Sequence, residues 1–328
     1  MYIVSFDIGA TKIATAVMDF DGRFLERPII LEPTPQDYQE AMGYFRATLN
    51  DLYRRYDIRF IAGGAPGLDV NSGEFVRNPS NLPMWGKHSL KGSLESIVRD
   101  ILRKTNGRYP IMTIKSDSYM AAAGASLSKL AQSQDTPIIF PILSVIQGTG
   151  IAVEESIRTD RGFEIYVRPD GKNRGAGHMP FSGIAQNKAD IACGHCPKPN
   201  CVETWLGGKH MKERYGAEPR FATPEMKDNV AYNQAKYIAT SKWPYDPRTV
   251  LLVGGIPNRW VGFVQIIKKY LEPYYQQNGQ MPTIETSVLG NNAALVGAWA
   301  VDRRIFVGRW PKFDLRRYIE NQAVLYRN

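Results

Sequence analysis

Cysteine is scarce in this chain. There are three in 328 residues, all inside Cys193-Gly194-His195-Cys196-Pro197-Lys198-Pro199-Asn200-Cys201. An odd count in one cluster argues against a disulfide framework, which needs paired thiols and an oxidising compartment. Long apolar runs are missing too. No uncharged stretch reaches the roughly 18 residues of a membrane-crossing helix, so no span is expected. The first residues, Met1-Tyr2-Ile3-Val4-Ser5-Phe6-Asp7, read at once as a strand, without basic start, apolar segment or cleavage site. The expectation is a cytoplasmic protein. Low-complexity tracts are absent, and neither the Walker pattern nor the dinucleotide fingerprint occurs.

Negative charge is in deficit, with 32 acidic against 41 basic residues and a net charge of +9. That excess is either ordinary solvated surface or an attraction for anionic substrates such as nucleotide phosphates. The basic residues are dispersed, and the densest group, Arg303-Arg304 with Arg316-Arg317, lacks a recognition motif, so no nucleic-acid partner is expected. A 43% hydrophobic, 22% charged composition is that of a globular protein, and the length suggests two domains.

Tyr2–Asp7 and Lys12–Asp19 are strand-like about the tight turn Ile8-Gly9-Ala10-Thr11, and Asp21-Gly22 with Arg23-Phe24-Leu25 predicts a hairpin into a third strand. A helix is expected from Thr34-Pro35-Gln36 through Arg55. Phe60–Gly67 reads as a strand ending in glycines, and Pro110–Asp117 as a strand with a polar end. Tyr119–Leu130 is an alanine-rich helix. Pro137–Ile146 is extended and runs into Gln147-Gly148-Thr149-Gly150, with Ile151-Ala152-Val153 continuing as a strand. Helices are expected over 224–241, 261–275 and 293–301, and a buried strand over 249–253 ends on Gly254-Gly255. Both halves thus open on a strand and a small-residue turn, Asp7-Ile8-Gly9-Ala10-Thr11 and Gly148-Thr149-Gly150. Backbone N–H groups freed by glycine wrap phosphate oxygens.

Three thiolates and one imidazole make a closed tetrahedral set of the kind structural zinc takes. Prolines and a glycine between the thiols predict a knuckle rather than a helix. Two histidines compete for the fourth place. His195 lies between two thiols and would strain the small chelate loop, so His178 is preferred, with Cys193, Cys196 and Cys201. Buried free thiols are the other reading.

Alone, Asp-x-Gly-x-Thr-Lys is also a charged β-turn, and Asp117 is also a plain helix cap. The ordered set, however, resembles the loops of actin-like ATPases. More closely, it resembles the ROK family of sugar kinases (repressor, open reading frame, kinase) over nearly the whole chain. Asp7-Ile8-Gly9-Ala10-Thr11-Lys12 is similar to its first phosphate loop, Gly148-Thr149-Gly150 to its second, and Gly254-Gly255 to its adenosine loop. Ala65-Pro66-Gly67 and Asn81-Leu82-Pro83 resemble its sugar-contacting loops, and Ser116-Asp117-Ser118 its catalytic segment. Gly177-His178 with the cysteines and Glu203 resembles its zinc motif.

The resemblance implies an α/β protein of two ribonuclease-H-like domains of actin/hexokinase type around a cleft: a small one over 1–117, a large one over 118–305, and 306–328 returning to the first. It implies ATP-dependent phosphorylation of a sugar hydroxyl, with Asp117 as base and Mg²⁺ oriented by Asp7. Gly9, Thr11 and Lys12 would face phosphates. Gly67, Asn81, Ser116, His178 and Glu203 would contact sugar. A homodimer is implied, and the start at the phosphate loop favours the kinase branch. An alternative is a sugar-binding regulatory protein with little kinase activity. Three departures stand out: Gly175 where the family has a glutamate, Ser116 where it has asparagine, and Cys-x-x-Cys where it has Cys-x-Cys. The first two remove side-chain volume near the sugar and point away from glucose.

Overall fold

Continuous β-branched and small apolar runs suit strands covered on both faces. β1 (Tyr2–Ile8) and β2 (Ile13–Met18) are such runs and pair antiparallel, with Ile8 opposite Ile13. β3 (Ile29–Leu31) extends the meander. The strand expected over 23–25 is reduced to a bridge between Met18 and Phe24. The Asp19 carboxylate accepts the N–H groups of Asp21 and Arg23 in a turn, and the ladder resumes only after Pro28, which has no N–H to give. α1 (Tyr38–Arg55) is capped by Asp37, whose side chain accepts from Glu40 N–H at 2.9 Å, and it buries Ala41, Met42, Phe45, Leu49 and Leu52. Then come β4 (Ile58–Ala65), α2 (Leu90–Thr105), β5 (Ile111–Ser116) and α3 (Asp117–Gln132). β1, β4 and β5 are parallel neighbours in the sheet order β3-β2-β1-β4-β5.

The pattern then repeats. β6 (Ile142–Gln147), β7 (Ile151–Thr159) and β8 (Gly162–Ile165) form a second antiparallel meander. α4 (Val202–Leu206), α5 (Gly208–Tyr215), α6 (Pro224–Tyr245), β9 (Thr249–Val253), α7 (Gly255–Arg259), α8 (Phe263–Tyr275) and β10 (Thr283–Thr286) follow. This sheet has the order β10-β9-β6-β7-β8, with β9 parallel to both β6 and β10. Counted from β1 and from β6, the two sheets share one topology, the ribonuclease-H-like order. α9 (Ala293–Val307) and α10 (Leu315–Leu325) close the chain.

The computed structural model describes residues 1–68, 76, 82–105, 108–132, 140–160, 162–168, 176–197, 199–276, 279–307 and 311–325. They fall into two compact units, Met1–Gln134 with Asn292–Asn328, and Asp135–Arg168 with Asn173–Asn291. The boundaries expected at 117 and 306 therefore lie elsewhere, and the physical reason is the α3–α9 contact. A Cβ on Gly124 would sit 2.0 Å from the Ala293 carbonyl oxygen, and one on Gly297 1.8 Å from that of Met120. The two helices meet backbone to backbone and belong to one unit, whose sheet order begins at β3. α10 also rests on this unit, where Tyr318 packs against Phe24 and Phe313 and its hydroxyl accepts from Asn292.

Gly297→Ala should therefore lower the melting temperature sharply, because overpacking against a backbone oxygen costs about 1–3 kcal/mol or more. Gly43→Ala in α1 should raise it, since nothing lies within 4 Å of the added methyl and helical alanine gains roughly 0.5–1 kcal/mol over glycine. Equal melting temperatures for the two variants would contradict the close α3–α9 approach. No helix among the described residues is long and apolar enough to cross a membrane.

Candidate active site and metal centre

In the first unit, Asp7 ends the buried run of β1 and Asp117 opens α3 directly after β5. β4 lies between these strands, and its Gly64 pairs with Asp7 on one side and Lys115 on the other. A Cβ on Gly64 would stand 2.8 Å from the Asp117 Cα, so a glycine in this strand lets the start of α3 close down on the sheet. Ser116 is the cap of α3. Its Oγ accepts the Tyr119 N–H at 3.2 Å and lies 3.3 Å from Ser118 Oγ, while Asp117 Oδ1 accepts the Ser118 N–H at 2.9 Å.

A carboxylate at a helix N-terminus is favoured in its ionised form, and the sequence reading expects that of Asp117. Burial outweighs it. The Asp117 carboxyl is pushed up to about 6, with the Ser118 N–H pulling partly back. Asp7 is pushed up to about 7 by burial and then by the Asp117 charge, with Lys12 acting the other way. Two carboxyls thus share one partly buried, electrostatically linked place. The loop above them is tied down. Gly9 N–H donates to Lys12 O at 2.8 Å, Thr34 Oγ1 to Gly9 O at 2.8 Å, and Thr34 N–H to Thr11 O at 3.0 Å. Gly67 has φ 70° in the turn after β4. Asn81, like Gly175, lies outside the described residues.

In the second unit, Gly148-Thr149-Gly150 joins β6 to β7, and Gly148 N–H donates to Gly150 O at 3.0 Å. Two amides at the start of α5 donate into this loop, Gly208 N–H to Gly148 O at 2.9 Å and Lys209 N–H to Thr149 O at 2.7 Å. Gly254, at φ 108°, passes so close that a Cβ would be 2.5 Å from Gln147 O, and it caps α7, whose first residue is Gly255. The glycine loops at 148–150 and 254–255 are therefore neighbours.

Segments 179–181 and 200–202 lie antiparallel, through Phe181 N–H to Asn200 O and Val202 N–H to Met179 O. This brings His178 beside the cysteines. His178, Cys193, Cys196 and Cys201 offer ligand atoms all within 4.8 Å of one another, and His178 Nδ1 is 3.9 Å from Cys193 Sγ and 4.0 Å from Cys201 Sγ. Zinc bonds of about 2.0–2.3 Å in a tetrahedron put ligand atoms roughly 3.5–3.8 Å apart, so a small inward movement closes the set. The N–H groups of His195 and Cys196 point at Cys193 Sγ, at 3.3 and 3.2 Å. Burial and the neighbouring Cys193 and Cys201 sulfurs push the Cys196 thiol up to about 12, while burial lowers His178 and keeps its imidazole neutral. A dication reverses the thiol's reluctance to ionise, and the donor chemistry fits zinc. His195 is exposed, its ring 4.9 Å from that of His178, and it stays outside the ligand set.

Glu203 follows Cys201 in the first turn of α4 and is buried. Its Oε2 lies 2.9 Å from where a Cβ on Gly150 would stand, and its buried Oε1 has no hydrogen-bond partner. Burial raises its carboxyl. An orphaned buried acceptor of this kind asks for a donor such as a ligand hydroxyl. The glycine loops, the carboxylates and the knuckle stand out in the sequence, whereas Gly64 and the Thr34 latch do not. A glycine pair inside the strand run Ile58–Ala65 is the overlooked signal for the first, and nothing local marks the second.

The sequence profile of the ROK family matches residues 3–304. The chain belongs to the ROK family. Among its relatives is an N-acetylmannosamine kinase of Escherichia coli O6:H1, 26% identical over 318 residues that cover 92% of this chain and 99% of that one. Two solved ROK structures share the fold. A ROK family glucokinase from Streptomyces griseus in complex with glucose and AMPPNP superposes with a TM-score of 0.73 at 20% identity, covering 93% of this chain and 100% of that one. A ROK hexokinase from Thermus thermophilus gives 0.63 at 20% identity, covering 94% and 100%. The two mixed sheets of this ROK protein are thus those of the actin-like ATPase fold.

Proposed function

We propose that this chain is an ATP-dependent kinase of a hexose or hexose derivative. The observation that carries the reading is Asp117, a carboxyl at the start of α3 with its pKa raised to about 6 beside Asp7. A base poised near the working pH is what proton removal from an acceptor hydroxyl needs. Asp117 takes that proton as the hydroxyl oxygen attacks the γ-phosphorus of ATP. The bond to the bridging oxygen breaks, and ADP leaves with the electron pair. Gly9, Thr11, Lys12 and the loop Gly148-Thr149-Gly150 hold phosphate oxygens, and Gly254-Gly255 borders the adenosine. Asp7 would orient Mg²⁺, which would supply positive charge to the transferred phosphoryl group.

In the second unit Glu203 Oε1 accepts a sugar hydroxyl, joined there by His178; Gly67 and Asn81 are the first unit's candidates for sugar contact. Ser116 acts through the cap it gives α3. His178 turns Nδ1 to the sulfurs, which leaves Nε2 for the sugar. Zinc on His178, Cys193, Cys196 and Cys201 supplies geometry alone. A cytoplasmic homodimer completes the reading.

The test is kcat/KM by coupled ADP release over N-acetylmannosamine, mannose, glucosamine, allose, fructose and glucose. The relatives' name puts N-acetylmannosamine first, and the missing glutamate at 175 puts glucose low. If glucose leads, the specificity argument fails and the kinase stands. If a sugar binds and none is turned over, the regulatory reading takes its place.

A further inference from the structure

Arg214, in the last turn of α5, is fully buried. A charged side chain is almost never buried without a partner or a task. Its guanidinium is spent on backbone carbonyls and one amide. Nε donates to Thr204 O at 3.3 Å, Nη1 to Asn187 O at 3.0 Å and to Ala189 O at 2.8 Å, and Nη2 to Asn200 Oδ1 at 3.0 Å. The group stacks on Trp205, with Cζ 4.0 Å from the ring centroid. An apolar side chain would fill this space with no desolvation penalty, so packing alone does not explain an arginine.

The acceptors fall in one pattern. Asn187 and Ala189 begin the strap that leads into Cys193, Asn200 immediately precedes Cys201, and Thr204 immediately follows Glu203. Asn200 sits at φ 60°, a conformation asparagine tolerates. Its Oδ1 also accepts Ile191 N–H at 3.3 Å, and its Nδ2 donates to Asp190 Oδ1 at 2.6 Å. One planar group therefore grips both ends of the strap, a task for a rigid fork of donors that the single ammonium of lysine cannot match. The opposite end of the same helix holds the glycine loop, through Gly208 N–H and Lys209 N–H.

We infer that Arg214 is a positioning residue. It locks the two ends of the strap, Asn187–Ala189 and Asn200, onto α5 and so fixes the Cys201–Glu203 turn against the Gly148–Gly150 loop. The inference rests on the kinase and zinc readings above. It separates two effects: loosening the clamp frees the knuckle and Glu203, while the loop keeps its backbone bonds to the start of α5.

The experiment compares wild type, Arg214→Lys and Asn200→Gly as purified holoproteins. Asn200→Gly keeps the left-handed backbone and removes only the amide, so it remains informative if Arg214→Lys does not fold. Zinc release to excess chromogenic chelator is followed, together with KM for sugar and for ATP. The expected result is release about 10–100-fold faster, the usual loss when an outer support of a metal site is removed. The sugar KM should rise by a similar factor, with the ATP KM within about twofold of wild type. Wild-type release with unchanged sugar KM overturns the proposal. So does a parallel rise of both KM values with zinc retained, which is the mark of general packing. If wild type holds no zinc, the metal reading fails and the sugar-to-ATP KM ratio decides the role of Arg214. If wild type turns over no sugar, the kinase reading fails and zinc release decides it.

Discussion

Asp117→Asn should cut kcat by roughly 10²–10⁴, the range of a lost general base. The amide keeps the shape of the side chain and its bond to Ser118 N–H, so the fold should persist and sugar KM should change less than kcat. The ligand-free variant should also melt higher than wild type at pH 8. The sign follows from the raised pKa. The folded Asp117 carboxyl titrates at about 6 and Asp7 at about 7, each from an ordinary value of 3.8. A carboxyl raised on folding stabilises the fold while protonated, and that contribution is lost as the pH climbs through the folded pKa. A neutral amide has no such loss. Wild-type kcat/KM should run the other way, falling as the pH drops through about 6 and protonates the base. A pH-independent rate between 5 and 8, or near-normal turnover in the amide variant, would place the base elsewhere.

Loss of the metal should have the largest effect on stability. Purified protein should carry about one zinc per chain, as one tetrahedral site requires. Cys201→Ser should destabilise by more than about 4 kcal/mol, a range reached when a metal or a core is lost. Cys201 is itself buried, it bonds the strip 179–181 through its neighbours, and Glu203 stands two residues on. Sugar affinity should therefore fall with the metal. Elemental analysis with thermal melts before and after chelation checks this. A metal-free protein of unchanged melting temperature and activity would reduce the knuckle to buried thiols.

Much of this was legible because the chemistry is local. Asp7 to Lys12, Gly148 to Gly150 and the three cysteines each sit within a few residues, and turn glycines announce a loop whatever surrounds it. That His178 rather than His195 joins the three thiols in one donor cluster was legible by elimination: His195 lies between two thiols, and in the fold it stays exposed. What the sequence hid depends on distant partners. The closeness of Gly124 to Ala293 and of Gly297 to Met120 joins segments far apart in the chain, which moves the unit boundary away from 117. The raised pKa of Asp117 is another such effect, because helix position argues for the ionised form and only the assembled surroundings supply the burial. α2 is a different case. Leu90, Leu94, Ile97, Val98 and Ile101 are buried at helical spacing. Gly92 and Lys91 in the first turn interrupt the pattern, but the stripe beyond them is plain in the sequence. The grip of Arg214 has no sequence mark at all, since its acceptors are mainly carbonyls.

The most direct measurement is phosphorus NMR of the purified protein with ATP, Mg²⁺ and N-acetylmannosamine or the best sugar of the panel. A sugar phosphate should appear in step with ADP, one for one, and should fail to appear with Asp117→Asn. ADP forming without sugar phosphate, or no turnover of any sugar by a folded, zinc-loaded protein, would contradict a sugar kinase.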